Sequence, residues 1–474
     1  MLVDTTVNLA LCLLIPLAIG LAAARVLFKE FPFGRVGALA VSFGLGMGII
    51  THWMLLLSVL GISYTRENIS IPLVMVALGI LFLVAKKRRG REGVGSLPIS
   101  DSSRQEPEPS RPIIVFLKNL VGIIVIGYVV WQFYFILWRS LNIPLFAWDE
   151  ISTIGSKAKC IFVERSIVPL KNYIHASYPL HVPLSSGWVA LNLGYWDEQL
   201  VKIIFPVIFM SASVIYYIFL RQQTSRWWAL LGLGLLVSAN FPVYHAAIAY
   251  RDIYLMYYNI SAVLFLSMGC EQKNDRFFVL AGLFMGFATF TKLEATGYLV
   301  VNALAFVGLL FLVGGNTVKE KALKFLKFLV PGGGIYLIYF LYRCFHGLRQ
   351  GQGRFGWDFA WDHWNRVPLI LEKFLGNVFL SGNWNILWFL LLVSLIVYRR
   401  TNAKRLPVKY LLLCCLAYFG VYFAVALFTP NFVSFGGLCS SYTVSRVILH
   451  FFPLCPILII LLNCPKTRQD RKGP

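Results

Sequence analysis

Apolar runs of about twenty residues recur along this chain, and no other feature constrains its fold as strongly. A helix of about twenty residues crosses the hydrocarbon core of a bilayer. In lipid, only helices and closed barrels satisfy their backbone hydrogen bonds, and these runs are far too long for barrel strands. Hydrophobic residues make up 58% of the 474 residues and charged residues only 14%, against about a quarter charged in soluble proteins. The sequence therefore predicts an all-α polytopic membrane protein.

We predict about thirteen transmembrane helices, with short helices in the outer loops. The first apolar run is too long, and follows too acidic a start, for a cleavable signal peptide. Of the apolar segments, the short fifth one is expected to lie in the membrane interface rather than to cross. The segments are Thr6–Leu27, Val36–Leu60, Ile71–Ala85, Ile113–Leu137, Val182–Leu193, Val201–Leu220, Trp227–Ala246, Ile253–Met268, Phe277–Thr289, Ala295–Val313, Phe328–Leu341, Phe374–Tyr398, Tyr410–Leu427 and Val447–Leu462.

The net charge of +22 lies largely in short basic loops that alternate along the chain. Loops rich in Lys and Arg stay on the cytoplasmic side of a membrane. With thirteen crossings these loops fall on one side, which places the N-terminus outside and the C-terminus in the cytoplasm. Basic loops that set topology explain the charge better than nucleic-acid binding does, so no nucleic-acid partner is predicted. The pattern fits a bacterial inner membrane, which we favour, and also an endoplasmic reticulum membrane.

The apolar runs and the polar segments between them divide the chain into four parts. Residues 1–90 form an N-terminal three-helix transmembrane segment. Residues 91–112 are rich in Ser, Pro, Glu and Arg, a composition that predicts a disordered cytoplasmic linker. Residues 113–463 form the main transmembrane module, and residues 464–474 form a basic cytoplasmic tail.

Candidate functional residues gather in the loops predicted on the non-cytoplasmic side. The first large loop carries the adjacent carboxylates Asp149 and Glu150, which are costly beside lipid and normally need a partner. A structural alternative stays open, in which Asp149 only caps a short helix that begins at Glu150. The other polar candidates of this loop are Lys157, Lys159, His175, Tyr178 and His181.

Further basic residues stand on the outer side, where the topology rule disfavours them. Arg251 and Asp252 come together at the start of a predicted helix. Lys292 ends another helix, and Arg446 follows the last outer loop. Cations in such places suit an anionic headgroup. The alternative for the first pair is a helix cap at Asp252, with Arg251 reaching to the interface.

The loop Cys344–Pro368 is rich in tryptophan and arginine. An interfacial aromatic belt is the favoured explanation of its tryptophans, and a sugar-stacking surface is the alternative. An Asp-His pair alone is weak evidence for a metal site. The loop holds Arg354, Trp357, Asp358, Trp361, Asp362, His363, Trp364 and Arg366.

The order of these features resembles the GT-C glycosyltransferases that use polyprenyl-phosphate sugars. It is similar in particular to the protein mannosyltransferases and the lipid A aminoarabinose transferase. The match runs from about Ile113 to Leu462, with its motifs on the predicted outer side. The matching motifs are Trp148-Asp149-Glu150, Tyr178-Pro179-Leu180, Arg251-Asp252, the helix with Gly282, Gly286, Thr291 and Lys292, and Arg446 with Pro453.

This resemblance implies a GT-C-like fold and an enzyme that transfers a hexosyl or pentosyl group. A sugar on a polyprenyl phosphate would move to an acceptor hydroxyl by inverting single displacement, with Asp149 as base and Glu150 as its neighbour and substitute. The implied phosphate-binding residues are Lys157, Lys159, Arg251, Lys292 and Arg446. The residues implied to orient the substrates are Asp252, His175, Tyr178 and His181. No metal ligand is assigned, and a requirement for a divalent metal stays open.

The implied partners are membrane lipid, the polyprenyl-phosphate-linked sugar, and a glycan, lipid or protein acceptor. Three other functions stay open. A transporter or flippase of lipid-linked sugars would carry ionisable residues at mid-membrane, and the predicted spans are almost free of them. A ligase or polymerase of lipid-linked oligosaccharides would carry an arginine-rich outer loop, which Cys344–Pro368 provides in part. A scaffold without activity is the third.

Overall fold

The computed structural model describes residues 2–28, 30–89, 112–173, 175–315, 317–348, 361–398, 402–428 and 441–464. Every regular element in these residues is helical, which confirms the all-α prediction for this part of the chain. The predicted linker, apart from Pro112, and residues 465–474 of the predicted tail lie outside it. So do Arg354, Trp357 and Asp358 of the tryptophan-rich loop.

The described residues form eighteen α-helices and several short turns. The helices are α1 (Leu2–Leu27), α2 (Gly34–Val59), α3 (Arg66–Arg89), α4 (Pro112–Asn142), α5 (Ser156–Glu164), α6 (His181–Leu193), α7 (Ile204–Gln223), α8 (Arg226–Ser238), α9 (Asn240–Ala246), α10 (Arg251–Glu271), α11 (Arg276–Thr291), α12 (Ala295–Val313), α13 (Val318–Phe345), α14 (Val367–Leu380), α15 (Leu387–Tyr398), α16 (Leu406–Phe428), α17 (Ser441–Leu449) and α18 (Leu454–Asn463). A π-helical turn covers Glu150–Gly155, and 3₁₀ turns cover Val168–Asn172, Leu200–Lys202, Trp361–Arg366 and Asn402–Lys404.

The chain is an integral, multi-pass membrane protein. Nine of the described helices are long and apolar enough to cross a bilayer, and eleven spans result if each of two bent helix pairs counts as one. Two further apolar helices, α11 and α15, are shorter. The predicted number of thirteen spans is therefore not confirmed.

Two predicted spans are bent in the middle. The segment Trp227–Ala246 is divided into α8 and α9, which meet at 74°. The segment Val447–Leu462 is divided between α17 and α18, which meet at 58°. A proline near each break, Pro242 and Pro453, lacks the backbone N–H that would continue the helical ladder. The second break brings a polar residue, His450, to the end of an otherwise apolar run.

The single span predicted at Phe374–Tyr398 is wrong. The structure has two helices there, α14 and α15, separated by a turn at residues 381–386. Gly382 and Asn385 in this turn have φ angles of +72° and +49°. Such left-handed conformations are found mainly at Gly and Asn, and they end a helix. Hydropathy averaged over a span does not detect a turn of this kind.

Another correction concerns the fifth apolar segment, which was expected to lie in the interface. It forms α6, and every residue of this helix is buried. The indole Nε1 of Trp188 donates to the carbonyl of Cys12 at 3.0 Å, and Thr51 Oγ1 lies 3.0 Å from His181 Nδ1. α6 is thus an internal helix, packed against α1 and α2 of the N-terminal segment.

Helix α10 lies at the centre of the bundle and is buried along nearly its whole length. The hydroxyls of Tyr257 and Tyr258 donate to the carbonyls of Ala40 and Gly44, which fixes α10 against α2. At the first residues of α10, the π-helical turn, the loop after α11 and the last turns of α17 converge. That convergence creates the polar cluster described next.

Candidate active site

Asp252 is the centre of a charged cluster at the first turn of α10. Its side chain is fully buried. One carboxylate oxygen, Oδ1, accepts from Lys292 Nζ at 2.9 Å and from His450 Nε2 at 2.8 Å. The other, Oδ2, accepts from Arg446 Nε at 3.0 Å and Nη2 at 2.9 Å. A buried carboxylate is tolerated when it is paired and hydrogen-bonded in this way. The helix-cap alternative for Asp252 is wrong, because cations and an imidazole occupy the carboxylate.

Arg446 connects Asp252 with Asp149. Its Nη1 lies 2.7 Å from Asp149 Oδ2, while its other nitrogens bind Asp252. The guanidinium also lies over the rings of Tyr250, at 4.8 Å, and Tyr442, at 5.7 Å. A planar fork of donors that also stacks on aromatic rings is particular to arginine. The structure therefore brings together three of the predicted site residues through one side chain.

Asp149 precedes the π-helical turn and makes no side-chain cap bond to it. The alternative in which Asp149 only caps a helix is therefore wrong. The side chains of Asp149 and Arg446 are 24% and 20% exposed, whereas Asp252 is fully buried. The cluster thus opens to its surroundings on the Asp149 side. A reacting hydroxyl can approach that carboxylate and cannot approach Asp252.

Lys292 stands in the loop between α11 and α12. It pairs with Asp252 and, at 3.1 Å, with Glu294 Oε1. Burial lowers the pKa of Lys292, but the two carboxylates outweigh burial and raise that pKa above its usual value. Lys292 therefore stays a cation at neutral pH, as a phosphate ligand must.

Glu150 is next to Asp149 in sequence but has a different environment. It is fully buried. Its Oε2 accepts from the backbone N–H groups of Phe146 and Ala147 at 3.1 and 3.0 Å, and its Oε1 accepts from Ala249 N–H at 2.6 Å. These bonds tie the turn after α4 to the residues just before α10. The geometry gives Glu150 a structural role and does not support its predicted catalytic one, because both oxygens are directed at backbone amides.

Arg251 and Lys157 form a second cationic group around Tyr178. Arg251 Nη1 donates to Thr153 Oγ1 at 2.9 Å, and its Cζ lies 5.4 Å from the Tyr178 ring centre. Lys157 Nζ lies 5.9 Å from the same ring and donates to the carbonyl of His175 at 2.6 Å. The His175 ring stacks on Tyr178 with centroids 4.5 Å apart.

Lys157 is buried, and burial lowers its pKa to about 7, with a further contribution from the nearby charge of Arg251. A buried ammonium next to another cation is strongly disfavoured unless an anion arrives. This second group is therefore suited to receive a negatively charged ligand.

Two predicted site residues lie away from both groups. Lys159 is exposed on α5, two residues beyond Lys157 and so on another side of the helix. His181 is fully buried at the start of α6, with Nδ1 near Thr51 and Nε2 3.3 Å from the Tyr258 hydroxyl. Because both nitrogens face groups inside the bundle, the predicted substrate-orienting role of His181 is not supported.

Sequence reasoning did not single out His450 or Tyr442, and it assigned no role to Tyr250 and Glu294. Tyr250 directly precedes the Arg251-Asp252 motif, and Glu294 lies two residues after Lys292, so both were next to residues already chosen. His450 follows Arg446 by four residues, a helical turn. That spacing was the one available signal, and the surrounding apolar run concealed it.

In the part of the chain that the structure describes, no group of three His, Cys, Asp or Glu side chains is arranged to hold a metal ion. The Asp362 side chain lies outside that part, so the Asp-His pair of the tryptophan-rich loop cannot be placed. His363 is buried, and Trp364 is half exposed with its ring edge-on to Phe428.

No protein-family model and no curated protein sequence matches the chain. The structure is similar to two crystal structures of ArnT from Cupriavidus metallidurans, one in the apo state and one bound to undecaprenyl phosphate. For the apo structure the TM-score is 0.47 at 16% identity, over 74% of this chain and 59% of that chain. For the other the TM-score is 0.46 at 14% identity, over 73% and 60%. The chain thus spans about three fifths of the length of those proteins.

ArnT, the lipid A aminoarabinose transferase of the GT-C superfamily, is one of the proteins to which the sequence motifs were similar. A likeness of this degree concerns the arrangement of helices alone. The function proposed below rests on the charged cluster itself.

Proposed function

We propose that the protein is a membrane glycosyltransferase that moves a sugar from a polyprenyl phosphate to an acceptor hydroxyl on the non-cytoplasmic face. One observation carries the proposal: Arg446 joins a partly exposed carboxylate, Asp149, to a buried carboxylate that also binds Lys292. The cluster thus holds a base and two phosphate-binding cations together at the end of a bundle of apolar helices. A lipid-linked phosphate ester is the substrate class that needs both features.

The cations act on the leaving group. When the bond between the anomeric carbon and the phosphate oxygen breaks, its electron pair stays on the phosphate, which gains negative charge. Groups that meet developing charge in a preorganised site lower the barrier most. Lys292 and Arg446 are the proposed ligands of that phosphate, with Arg251 and Lys157 beyond them around Tyr178. Lys159 is left out, because it lies outside both groups.

Asp149 acts on the acceptor. The acceptor oxygen attacks the anomeric carbon, and Asp149 takes the proton of that hydroxyl, so a single displacement inverts the configuration. In the structure, Arg446 Nη1 occupies Asp149 Oδ2. A donor phosphate that draws Arg446 Nη1 away from Asp149 would free that carboxylate oxygen for the acceptor hydroxyl. This order of events favours donor binding before acceptor activation.

A transporter or flippase is the competing proposal, and it requires charges distributed along a path through the membrane. The carboxylates and cations of the cluster instead lie at helix ends and in the adjoining turns. That arrangement supports chemistry at one face. The acceptor, whether glycan, lipid or protein, and the sugar are left to experiment.

The test is transfer by the purified protein in nanodiscs, incubated with a panel of radiolabelled polyprenyl-phosphate sugars and a membrane lipid extract. We expect one donor to be consumed with release of polyprenyl phosphate. Asp149→Asn should abolish this transfer. Glu372→Gln is its matched control, since Glu372 is exposed beside Lys373 on α14. Folded protein that neither binds nor consumes any monophosphate donor would move the assignment to the ligase or flippase.

A further inference from the structure

A chain of buried polar groups continues from Asp252 into the helix bundle. His450 Nε2 binds Asp252 at 2.8 Å, and His450 Nδ1 lies 2.9 Å from the hydroxyl of Tyr298. The Tyr298 hydroxyl in turn lies 2.6 Å from that of Tyr422. His450 and Asp252 are fully buried, and the two tyrosines nearly so. Polar groups in such a position are costly unless each is hydrogen-bonded. We therefore expect these hydrogen-bonded groups to have a role beyond packing.

This series of hydrogen bonds fixes the tautomer of His450. A neutral imidazole has one donor and one acceptor nitrogen. Asp252 is an acceptor, so Nε2 carries the proton and donates to it. Nδ1 then accepts from the Tyr298 hydroxyl at 2.9 Å, and that hydroxyl can accept from Tyr422. The Tyr422 hydroxyl also lies 3.5 Å from Nδ1, and with either tyrosine as the donor His450 has the same tautomer.

The backbone of His450 is held as well. It lies in the break between α17 and α18, and its carbonyl accepts from Asn259 Nδ2 of α10 at 3.2 Å. The Asn259 Oδ1 accepts from Tyr418 and from Asn302, both at 3.0 Å. The imidazole is therefore fixed relative to α10, the helix that carries Asp252, and relative to α17, the helix that carries Arg446.

We propose that His450 is a positioning residue of the transfer reaction. Its Nε2–H holds Asp252 in the single orientation in which that carboxylate presents Arg446 and Lys292 to the phosphate of the donor and of the product. Tyr298 acts one step further away, by fixing the His450 tautomer. This inference rests on the function proposed above and adds a role within it. His450 touches no reacting atom.

The first test is equilibrium binding of polyprenyl phosphate, the reaction product, to nanodisc-embedded variants, together with kcat and KM for transfer. His450→Phe keeps the ring volume and removes the N–H. We expect it to weaken product affinity about tenfold, the usual consequence of losing a hydrogen bond to a charged group. His450→Gln keeps an N–H donor and should restore most of the affinity. His52→Phe is the matched control, since His52 is a half-buried histidine of α2 whose Nδ1 bonds the backbone carbonyl of Gly48.

Tyr298→Phe keeps the test decisive if His450→Phe does not fold, because it removes only a hydroxyl. We expect a threefold to fivefold loss of product affinity in a protein that still folds, roughly what one neutral hydrogen bond contributes. Folded Tyr298→Phe and His450→Phe variants with wild-type product affinity and kcat/KM would overturn the role of His450. A wild-type protein that neither binds polyprenyl phosphate nor transfers sugar would instead overturn the proposed function, and this inference with it.

Discussion

At the residue scale, Arg446 is the side chain on which the cluster depends. It bridges Asp149 and Asp252 through separate nitrogens and stacks between Tyr250 and Tyr442. A lysine ammonium is a single point charge and lacks the planar fork with which separate nitrogens of Arg446 reach the two carboxylates. The identity of this residue, and not only its charge, is therefore expected to matter.

We predict that Arg446→Lys lowers kcat/KM for sugar transfer about a hundredfold, because leaving-group stabilisation of this kind contributes on the order of 3 kcal/mol. Steady-state transfer assays in nanodiscs measure the change. Arg226→Lys, at the exposed start of α8, is the matched control and should be silent. A loss of less than threefold at Arg446 would show that charge alone suffices.

The pKa of Lys157 leads us to predict that donor binding depends on pH. Burial and Arg251 lower its pKa to about 7, so its cationic form is complete below that pH and is lost as the pH rises through it. An anionic donor favours the cation and moves the midpoint upward. We expect the Kd for polyprenyl phosphate to rise between pH 6 and pH 9, and Lys157→Arg to flatten that rise because guanidinium does not titrate there. A wild-type Kd independent of pH would contradict the assignment of Lys157 to the phosphate.

Much of the candidate site could be predicted from the sequence because its residues lie where apolar runs end. Asp149, Arg251, Asp252, Lys292 and Arg446 are charges at such ends, and the structure places them together. Adjacency in sequence was misleading in other cases. Glu150 belongs to one motif and His181 directly follows another. The side chain of Glu150 nevertheless accepts from backbone amides, and that of His181 points into the bundle. Only the packing of α4, α6 and α10 decides this, and hydropathy contains no information about it.

At the element scale, the loop that carries Lys292 is positioned by helix α11. A β-carbon at Gly282 of α11 would overlap the carbonyl oxygen of Phe328 on α13, and one at Gly286 would press on Ile335. Close approach of two helix backbones requires glycine at such contacts. The two glycines of the sequence motif therefore explain how α11 and α13 pack. Because Lys292 directly follows α11, they also determine the position of Lys292.

We predict that Gly282→Ala lowers the thermal midpoint and reduces transfer, because α11 must shift away from α13 and carry Lys292 with it. A cost of about 1–3 kcal/mol is typical of overpacking. Thermal unfolding in detergent and the transfer assay measure both effects. Gly333→Ala on α13 is the control, since nothing lies within 4 Å of a β-carbon there. Equal effects at both positions would contradict the packing explanation.

The breaks between helices could not be predicted in the same way. Hydropathy detects apolar length, so the α8–α9 and α17–α18 pairs and the α14–α15 turn all look like continuous spans. Prolines and left-handed residues within them are local signals that a twenty-residue average suppresses. The break between α17 and α18 is the one with functional weight, because it holds His450 beside Asp252.

At the scale of the whole molecule, the proposed function depends on the topology predicted from the sequence. In that topology the basic loops would face the cytoplasm and the charged cluster would lie on the opposite face. We predict that a fluorescent-protein fusion at the C-terminus is fluorescent and that a phosphatase fusion there is inactive, since phosphatase needs the oxidising side to form its disulfides. A phosphatase fused at residue 195, in the first large outer loop, should be active. The reverse pattern would place the cluster in the cytoplasm and contradict the account.

We propose that Asp149 is the base that takes the proton of the acceptor hydroxyl, beside a phosphate-linked sugar held by the neighbouring cations. A single-turnover measurement tests this role, with the donor found in the panel bound first and acceptor then added to wild type or Asp149→Asn. We expect the variant to bind donor and polyprenyl phosphate within a few fold of wild type, yet to release product at least a thousandfold more slowly, within the range for general-base catalysis. Product release by Asp149→Asn at the wild-type rate would contradict the role of Asp149.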